Sequence, residues 1–383
     1  MTNTEFKACV AQLATCSLEN TTRRRDFPPN FTLAPGEDPA RYDDTTLWYD
    51  AIWHRGTLRL ICPRLYGLDD LIAAGRLMLD GVPVAKLKIT QQEHHVIVRI
   101  RAHRKPVRVH LDIEGQDIGS GVSSRQDGVD FAGLNTGLLL SRNNDLAWIE
   151  DYARYHVQQH GMQAVLFFDN GSDRYGPDDI LDALSRAGLA QVTLVSAPLP
   201  FRAQGVTAGG RSSFDGGFLQ MSLLNIARLR FLRQARAVLQ CDVDELVWTD
   251  NGESIFDRAV RHPLGVVRFN GAWRYPDVQE GRTDIRHADH ICARSVPDQC
   301  PTKYCVRPRG PLFWASWSVH RLNKLRQRTT VSSDRAGFWH CRQITTAWKS
   351  PARLQGVEDL HPDPKIQTGL KTAGLRRADP NAL

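Results

Sequence analysis

Alternation of apolar and polar residues marks the first third of the chain. Val107-Arg108-Val109-His110-Leu111 alternates throughout, while Val96-Ile97-Val98-Arg99-Ile100 starts as a β-branched run and ends in alternation. Both are strand patterns. Gly67, Gly75, Gly81 and Gly115 interrupt the runs where turns belong. Residues 46–122 therefore read as a β-rich, sandwich-like domain. Residues 1–45 are polar and carry Pro28, Pro29, Pro35 and Pro39, so an irregular lead-in is expected there. The polar stretch 114–130 is the expected linker.

From residue 131 the period changes. Apolar runs at 137–140, 164–168 and 192–195 alternate with helical patterns at 146–160 and 179–187. Such alternation predicts an α/β domain. A longer helical pattern over 217–235, with Leu219, Leu223, Ile226 and Arg230 at helical spacing, leads into the run Ala237-Val238-Leu239. The α/β domain is expected to span 131–350. The basic, proline-spaced tail 351–383 is expected to be loosely ordered. No internal repeat or low-complexity segment interrupts this plan.

Composition narrows the class. The chain has 383 residues, 42% apolar and 24% charged, values that suit a globular protein of two or three domains. No run approaches the roughly 18 apolar residues of a membrane helix, and the first thirty residues lack the pattern of a signal peptide. A cytoplasmic protein is expected. Eight cysteines without a C-x-x-C pair or zinc-ligand rhythm agree with that, and Cys62 and Cys241 sit beside apolar runs as core residues. The net charge of +7 favours an anionic partner. Nucleic acid is not expected, since no zinc finger, RNA-recognition motif or basic zipper is present. Arg23-Arg24-Arg25 and the segment 371–377 are the candidate patches for peripheral contact with an anionic membrane, as at the inner face.

The run 237–239 leads to Asp242-Val243-Asp244-Glu245. At a strand end these carboxylates reach the rim of the sheet, where open α/β folds bind ligands. Two carboxylates two positions apart on a turning backbone suit one hard cation, Mn²⁺ or Mg²⁺, with phosphate oxygens completing its shell. A solvated acidic turn is the plainer alternative.

Five segments occur in order: Ser141-Arg142-Asn143-Asn144, Phe168-Asp169-Asn170-Gly171-Ser172, Asp242-Val243-Asp244-Glu245, Lys303-Tyr304-Cys305-Val306-Arg307-Pro308 and Trp339-His340-Cys341-Arg342. Over residues 135–350 this set resembles the GT-A glycosyltransferases, most closely glycosyltransferase family 92 and related bacterial enzymes. WIEDYARYHVQQHGMQAVLFFDNGSDR, residues 148–174, is the most similar stretch. The resemblance implies a GT-A fold, that is, a Rossmann-like nucleotide-diphospho-sugar transferase. It implies metal-dependent transfer of a sugar from a nucleotide-sugar donor, first of all a UDP-sugar, to a saccharide acceptor that includes lipid-linked forms. Inversion and a place in surface polysaccharide or glycan synthesis follow by the same analogy.

The resemblance also distributes roles. It assigns Asp242 and Asp244 to the metal and the donor diphosphate. Thr136, Ser141, Arg142 and Asn143 go to the nucleotide, as does Asp169 as acceptor for a uracil imide N–H; alternatively Asp169 only caps its turn. A late histidine completes the metal shell in such enzymes. His340 matches that segment, although Cys341 stands where the family carries an aromatic residue; His320 is the alternative. Lys303 and Arg307 flank an expected strand and suit phosphate oxygens. An acceptor hydroxyl needs a carboxylate base within hydrogen-bond reach, and both Glu245 and Asp277 qualify. Two other classes stay open. One is a haloacid-dehalogenase-like phosphatase using Asp242 as nucleophile, although Leu246 stands where that motif has Thr or Val. The other is a non-catalytic carbohydrate-binding protein.

Overall fold

The alternating third of the chain becomes two packed sheets in the computed structural model, which describes residues 5–125, 130–213, 215–278, 282–296, 298–322, 332–344, 346 and 357–377. Lys7–Gln12 (β1) belongs to a larger sheet. Asp50–His54 (β2), Thr57–Pro63 (β3), Leu87–Gln91 (β4) and His95–Arg101 (β5) pair antiparallel in the order β2-β3-β5-β4, with Ser123–Ser124 alongside β2. Arg108–Ile113 (β6) and Gln116–Gly121 (β7) lie in the second sheet. A two-residue hairpin joins them. Glu114 and Gly115 both take positive φ there, 56° and 78°, the backbone of the turn type that matches strand twist.

Leu58, Leu60, Val96 and Val98 of the first sheet share a buried cluster with Val109, Leu111 and Ile113 of the second. The opposite face of the first sheet, through Ile52, Ile61 and Ile97, joins another cluster with Leu223 and Ile226 of a helix from the α/β part. Covering both faces explains why Val96-Ile97-Val98 reads as an unbroken run rather than an alternation.

The large sheet adds Asn135–Ser141 (β8), Ala164–Asp169 (β9), Gln191–Ser196 (β10), Ala237–Gln240 (β11), Glu245–Thr249 (β12), Val266–Arg274 (β13), Gln299–Val306 (β14) and Ser332–Cys341 (β15). Its order is β1-β10-β9-β8-β11-β14-β13-β15-β12. The first five strands are parallel, and β14 runs antiparallel to β11. Helices Leu146–His160 (α1), Pro177–Arg186 (α2), Leu219–Ile226 (α3), Ile255–Arg261 (α4) and Pro364–Thr372 (α5) complete a mixed α/β fold. Asp145 caps the start of α1 through Ala147 N–H, and Gly161 at φ 64° ends it. Among the described residues no helix is long and apolar enough to cross a membrane.

Three expectations are corrected. The lead-in is not irregular throughout: β1 pairs in parallel with β10, and Phe31–Leu33 pairs with Gly205–Thr207. The tail includes α5, which buries Ile366 and Leu370 against Trp339 and Tyr155; residues 347–356 and 378–383 lie outside the described set. The long helical pattern 217–235 is not one helix. It ends as α at Ile226, continues as a π turn over Ala227–Phe231 and closes in a 3₁₀ turn. Within the π turn, Arg230 Nη1 lies 3.0 Å from buried Asp50 Oδ2 across the interface with the β-rich part.

Candidate functional site

The chain builds the parallel sheet outward from β8 to β9 to β10, then crosses back to place β11 on the other side of β8. Strand order reverses between β8 and β11. Open α/β sheets bind ligands beyond the carboxyl ends of the strands at such a point. Immediately beyond β11 the backbone turns through Asp242-Val243-Asp244-Glu245, closed by Glu245 N–H donating to Asp242 O at 3.0 Å. The Glu245 carboxylate returns the contact, its Oε2 accepting from Asp242 N–H at 2.8 Å.

Lys303, on β14, is buried with Nζ 3.0 Å from Asp242 Oδ2 and 3.0 Å from Glu245 Oε2. Burial alone lowers a lysine pKa, but these two carboxylates reverse the sign and hold Lys303 above its ordinary value. Glu245 is pushed above the usual carboxylate range, by burial first, with Lys303 opposing and Asp242 adding to the rise.

Strand pairing delivers the histidine. Glu245 on β12 stands opposite His340 on β15, and His340 Nε2 lies 2.9 Å from Asp244 Oδ2. The imidazole stacks on Trp273 with centroids 3.7 Å apart and planes at 16°, which fixes its direction. Its Nδ1 is buried, has no hydrogen-bond partner and lies 3.9 Å from Glu245 Oε1. Ligand atoms of Asp244, Glu245 and His340 all fall within 4.8 Å of one another. The turn thus carries three carboxylates against one ammonium, with an orphaned imidazole nitrogen among them. That donor set, two carboxylates and an imidazole with excess negative charge, fits Mn²⁺ well and Mg²⁺ less well.

A cavity of about 420 Å³ opens onto this cluster, with Asp242, Glu245, Lys303 and His340 in its wall. The wall also takes Ala34 from the lead-in, and Arg202, Gln220 and His320. Sequence reasoning missed Arg202 and Gln220. Arg202 follows the carboxyl end of β10 by six residues, so the strand-end rule applied to every parallel strand would have found it.

The expected site residues divide. Asp244 and His340 come together, with Asp244 Oδ2 and His340 Nε2 2.9 Å apart. Asp242 stands outside the group of three residues that could hold a metal ion, and its Oδ2 lies 3.0 Å from Lys303 Nζ. Glu245 joins that group, its other oxygen taken by Asp242 N–H and Lys303. Asp277 does not line the cavity; its carboxylate is exposed and pairs with Arg377 at 2.9 Å. Lys303 is an internal cation of the cluster. Arg307 is exposed at the far end of β14, next to Val306, which pairs with Val238 near the start of β11. Four residues of strand separate it from Lys303, about 13 Å.

Thr136 is fully buried near the amino end of β8, where Oγ1 donates to Leu134 O at 3.3 Å. Ser141 and Asp169 are the last residues of β8 and β9, and Asn143 lies just beyond β8. They bind the loops there rather than lining the cavity. Ser141 Oγ accepts from Asn144 Nδ2 at 2.8 Å, and Asn143 Oδ1 accepts from Asp173 N–H at 2.9 Å. Asp169 caps its own turn, Oδ1 accepting from Ser172 Oγ at 2.6 Å. Arg142 is exposed. His320 lines the cavity while its ring Nδ1 lies 3.0 Å from Thr302 O.

The basic patches also resolve. Arg23 pairs with Asp70 at 2.7 Å, Arg24 donates to backbone carbonyls, and Arg25 is buried among carbonyls. Arg377 pairs with Asp277, whereas Lys371 and Arg376 of the same segment are exposed. The eight cysteines form no disulfide. No family model matches the chain, and no curated protein matches it.

Proposed function

We propose that this protein is a metal-dependent glycosyltransferase of GT-A-like architecture, moving a sugar from a nucleotide-sugar donor, a UDP-sugar first of all, to a saccharide acceptor. One observation carries the reading: an acidic turn at the strand-order reversal holds Asp244, Glu245 and His340 together, with Glu245 and His340 in the wall of a cavity of about 420 Å³. Sites for small ligands run from about 300 to 1,000 Å³.

Asp244, Glu245 and His340 would hold Mn²⁺ or Mg²⁺. The bound ion supplies Lewis-acid stabilisation of the leaving diphosphate, worth several kcal/mol. Lys303 keeps Asp242 and Glu245 in fixed positions. Trp273 orients His340. Arg202 brings a guanidinium to the cavity wall, where its planar fork suits phosphate oxygens.

Calorimetric titration of UDP, GDP and CDP, with and without Mn²⁺, tests the reading on the wild type and on Asp244→Asn. Metal-dependent binding of one nucleotide, lost in the variant, is expected. Absence of nucleotide binding under every condition overturns it. A phospho-aspartate trapped at Asp242 instead would favour the phosphatase class.

A further inference from the structure

We propose that the arginine-lined face where the sheet β2-β3-β5-β4 meets the turn after α3 binds the phosphate headgroups of an anionic membrane. Strand register builds the face. Arg99 on β5 is directly opposite Arg59 on β3 and directly opposite Lys88 on β4. Directly opposed side chains share one face with Cβ atoms about 5 Å apart, and like charges there destabilise a sheet. Arg228 and Arg233 come from the turn after α3. Arg125 joins them, its Nε donating to Leu229 O at 2.7 Å and its Nη1 lying 3.0 Å from His54 Nε2.

What these side chains touch is neutral. Arg99 Nη1 donates to Thr90 Oγ1 at 2.7 Å, Arg59 Nη1 to Thr57 O at 3.5 Å, and Arg228 Nη1 to Phe313 O at 3.2 Å. Among the described residues, no carboxylate lies within ion-pair distance of Arg59, Arg99, Arg125, Arg228 or Arg233. The contrast with Arg23, Arg25 and Arg377 is direct, since those are consumed internally. Burial, and then the neighbouring guanidinium groups, hold Arg125 and Arg228 down at about 10. The fold gathers positive charge here and leaves it without a counter-charge from the described residues.

The rim of the face selects the partner. Phe313 and Trp314 are 50% and 51% exposed, and the Arg233 guanidinium lies 5.9 Å from the Phe313 ring centroid. Aromatic side chains beside arginines suit the interfacial zone of a bilayer. A free phosphate has no use for the apolar rings.

Co-sedimentation of the full chain with phosphatidylcholine vesicles, with and without a one-third share of phosphatidylglycerol, tests the proposal. The wild type is expected to sediment with the anionic vesicles only. Arg99→Gln and Arg59→Gln each weaken binding about fivefold, and Trp314→Ala weakens it too. Arg23→Gln leaves it unchanged. Relief of the like-charge opposition keeps the melting temperature of Arg99→Gln at or above wild type; should that variant unfold, exposed Arg233→Gln carries the same test. Equal binding to neutral vesicles, or no vesicle binding, overturns the proposal. So does a thermal shift with inorganic phosphate alone, lost in Arg99→Gln, with no vesicle binding; that would make the face a soluble-phosphate site.

Discussion

Replacing Lys303 by methionine removes the ammonium and keeps most of the side-chain volume. In the wild type, the Lys303 and Glu245 side chains are 2% and 3% exposed, and the Asp242 side chain 19%. Breaking a buried ion pair by deleting one partner costs about 3–5 kcal/mol, because the remaining charge stays buried and uncompensated. Two carboxylates lose their partner here, but Asp242 keeps some water, so we expect about 3 kcal/mol.

The pH dependence has a definite sign. Lys303 titrates above its ordinary value, so its stabilising contribution is complete at neutral pH and is lost only as the pH rises through that raised value. Glu245 sits above its ordinary 4.5 already, and losing Lys303 raises it further. An acid with a raised folded pKa binds more protons folded than unfolded. Stability of Lys303→Met therefore recovers as the pH falls through the raised value toward the ordinary one. Urea denaturation followed by tryptophan fluorescence, with chelator, across that range gives the deficit by linear extrapolation. An unchanged urea midpoint would refute the reasoning. A deficit independent of pH would do so equally, since it would mean that packing, not charge, was lost.

His340→Gln removes the imidazole between Asp244 and Glu245, and Mn²⁺ affinity measured by electron paramagnetic resonance should fall by at least about 10–100-fold; undiminished affinity would exclude His340 as a ligand. Asp50→Asn weakens a carboxylate that accepts from Ala14 N–H, Ser123 Oγ and Arg230 Nη1 at 3.0, 2.7 and 3.0 Å. A loss of about 3 kcal/mol or more in urea denaturation is expected, and under 1 kcal/mol would show that the interface does not rest on this pair. Gly271→Ala puts a Cβ 2.1 Å from Phe338 Cζ, so the ring must move at a cost of about 1–3 kcal/mol. An unchanged melting temperature would show that the ring yields freely.

Much of the α/β part is legible in the sequence because its signals are local. The helix expected over 146–160 matches α1, bracketed by an Asp145 cap and the left-handed Gly161. The acidic turn is legible for the same reason: an apolar run must end, and four residues in sequence carry its chemistry. His340 is singled out in the sequence only by the expected resemblance, and its contact with Asp244 depends on the pairing of β12 with β15, about ninety residues apart. Lys303 reads as a phosphate ligand because nothing in its neighbours reveals that β14 lies against β11. Thr136 and Arg307 show the same limit, being near the candidate strands in sequence yet at the wrong end of them. The break in the helix at Ile226 has no glycine or proline to announce it, and the partner of Arg230 in the π turn, Asp50, lies far earlier in the chain. The charge of the Arg59–Arg99 face is also hidden, since only the register sets two arginines opposite one another.

The position of β1 has a consequence for synthesis and handling of the chain. Lys7 is made about 180 residues before Gln191, its partner on β10. The strand must stay unpaired through that interval, and a segment closing so long a loop joins the sheet late. Loss of β1 would pass the open parallel edge from β1 to β10, whose unsatisfied amides and carbonyls would then invite pairing with another chain. As the outermost strand, β1 carries the sheet's open edge itself and presents Lys7 and little buried surface there.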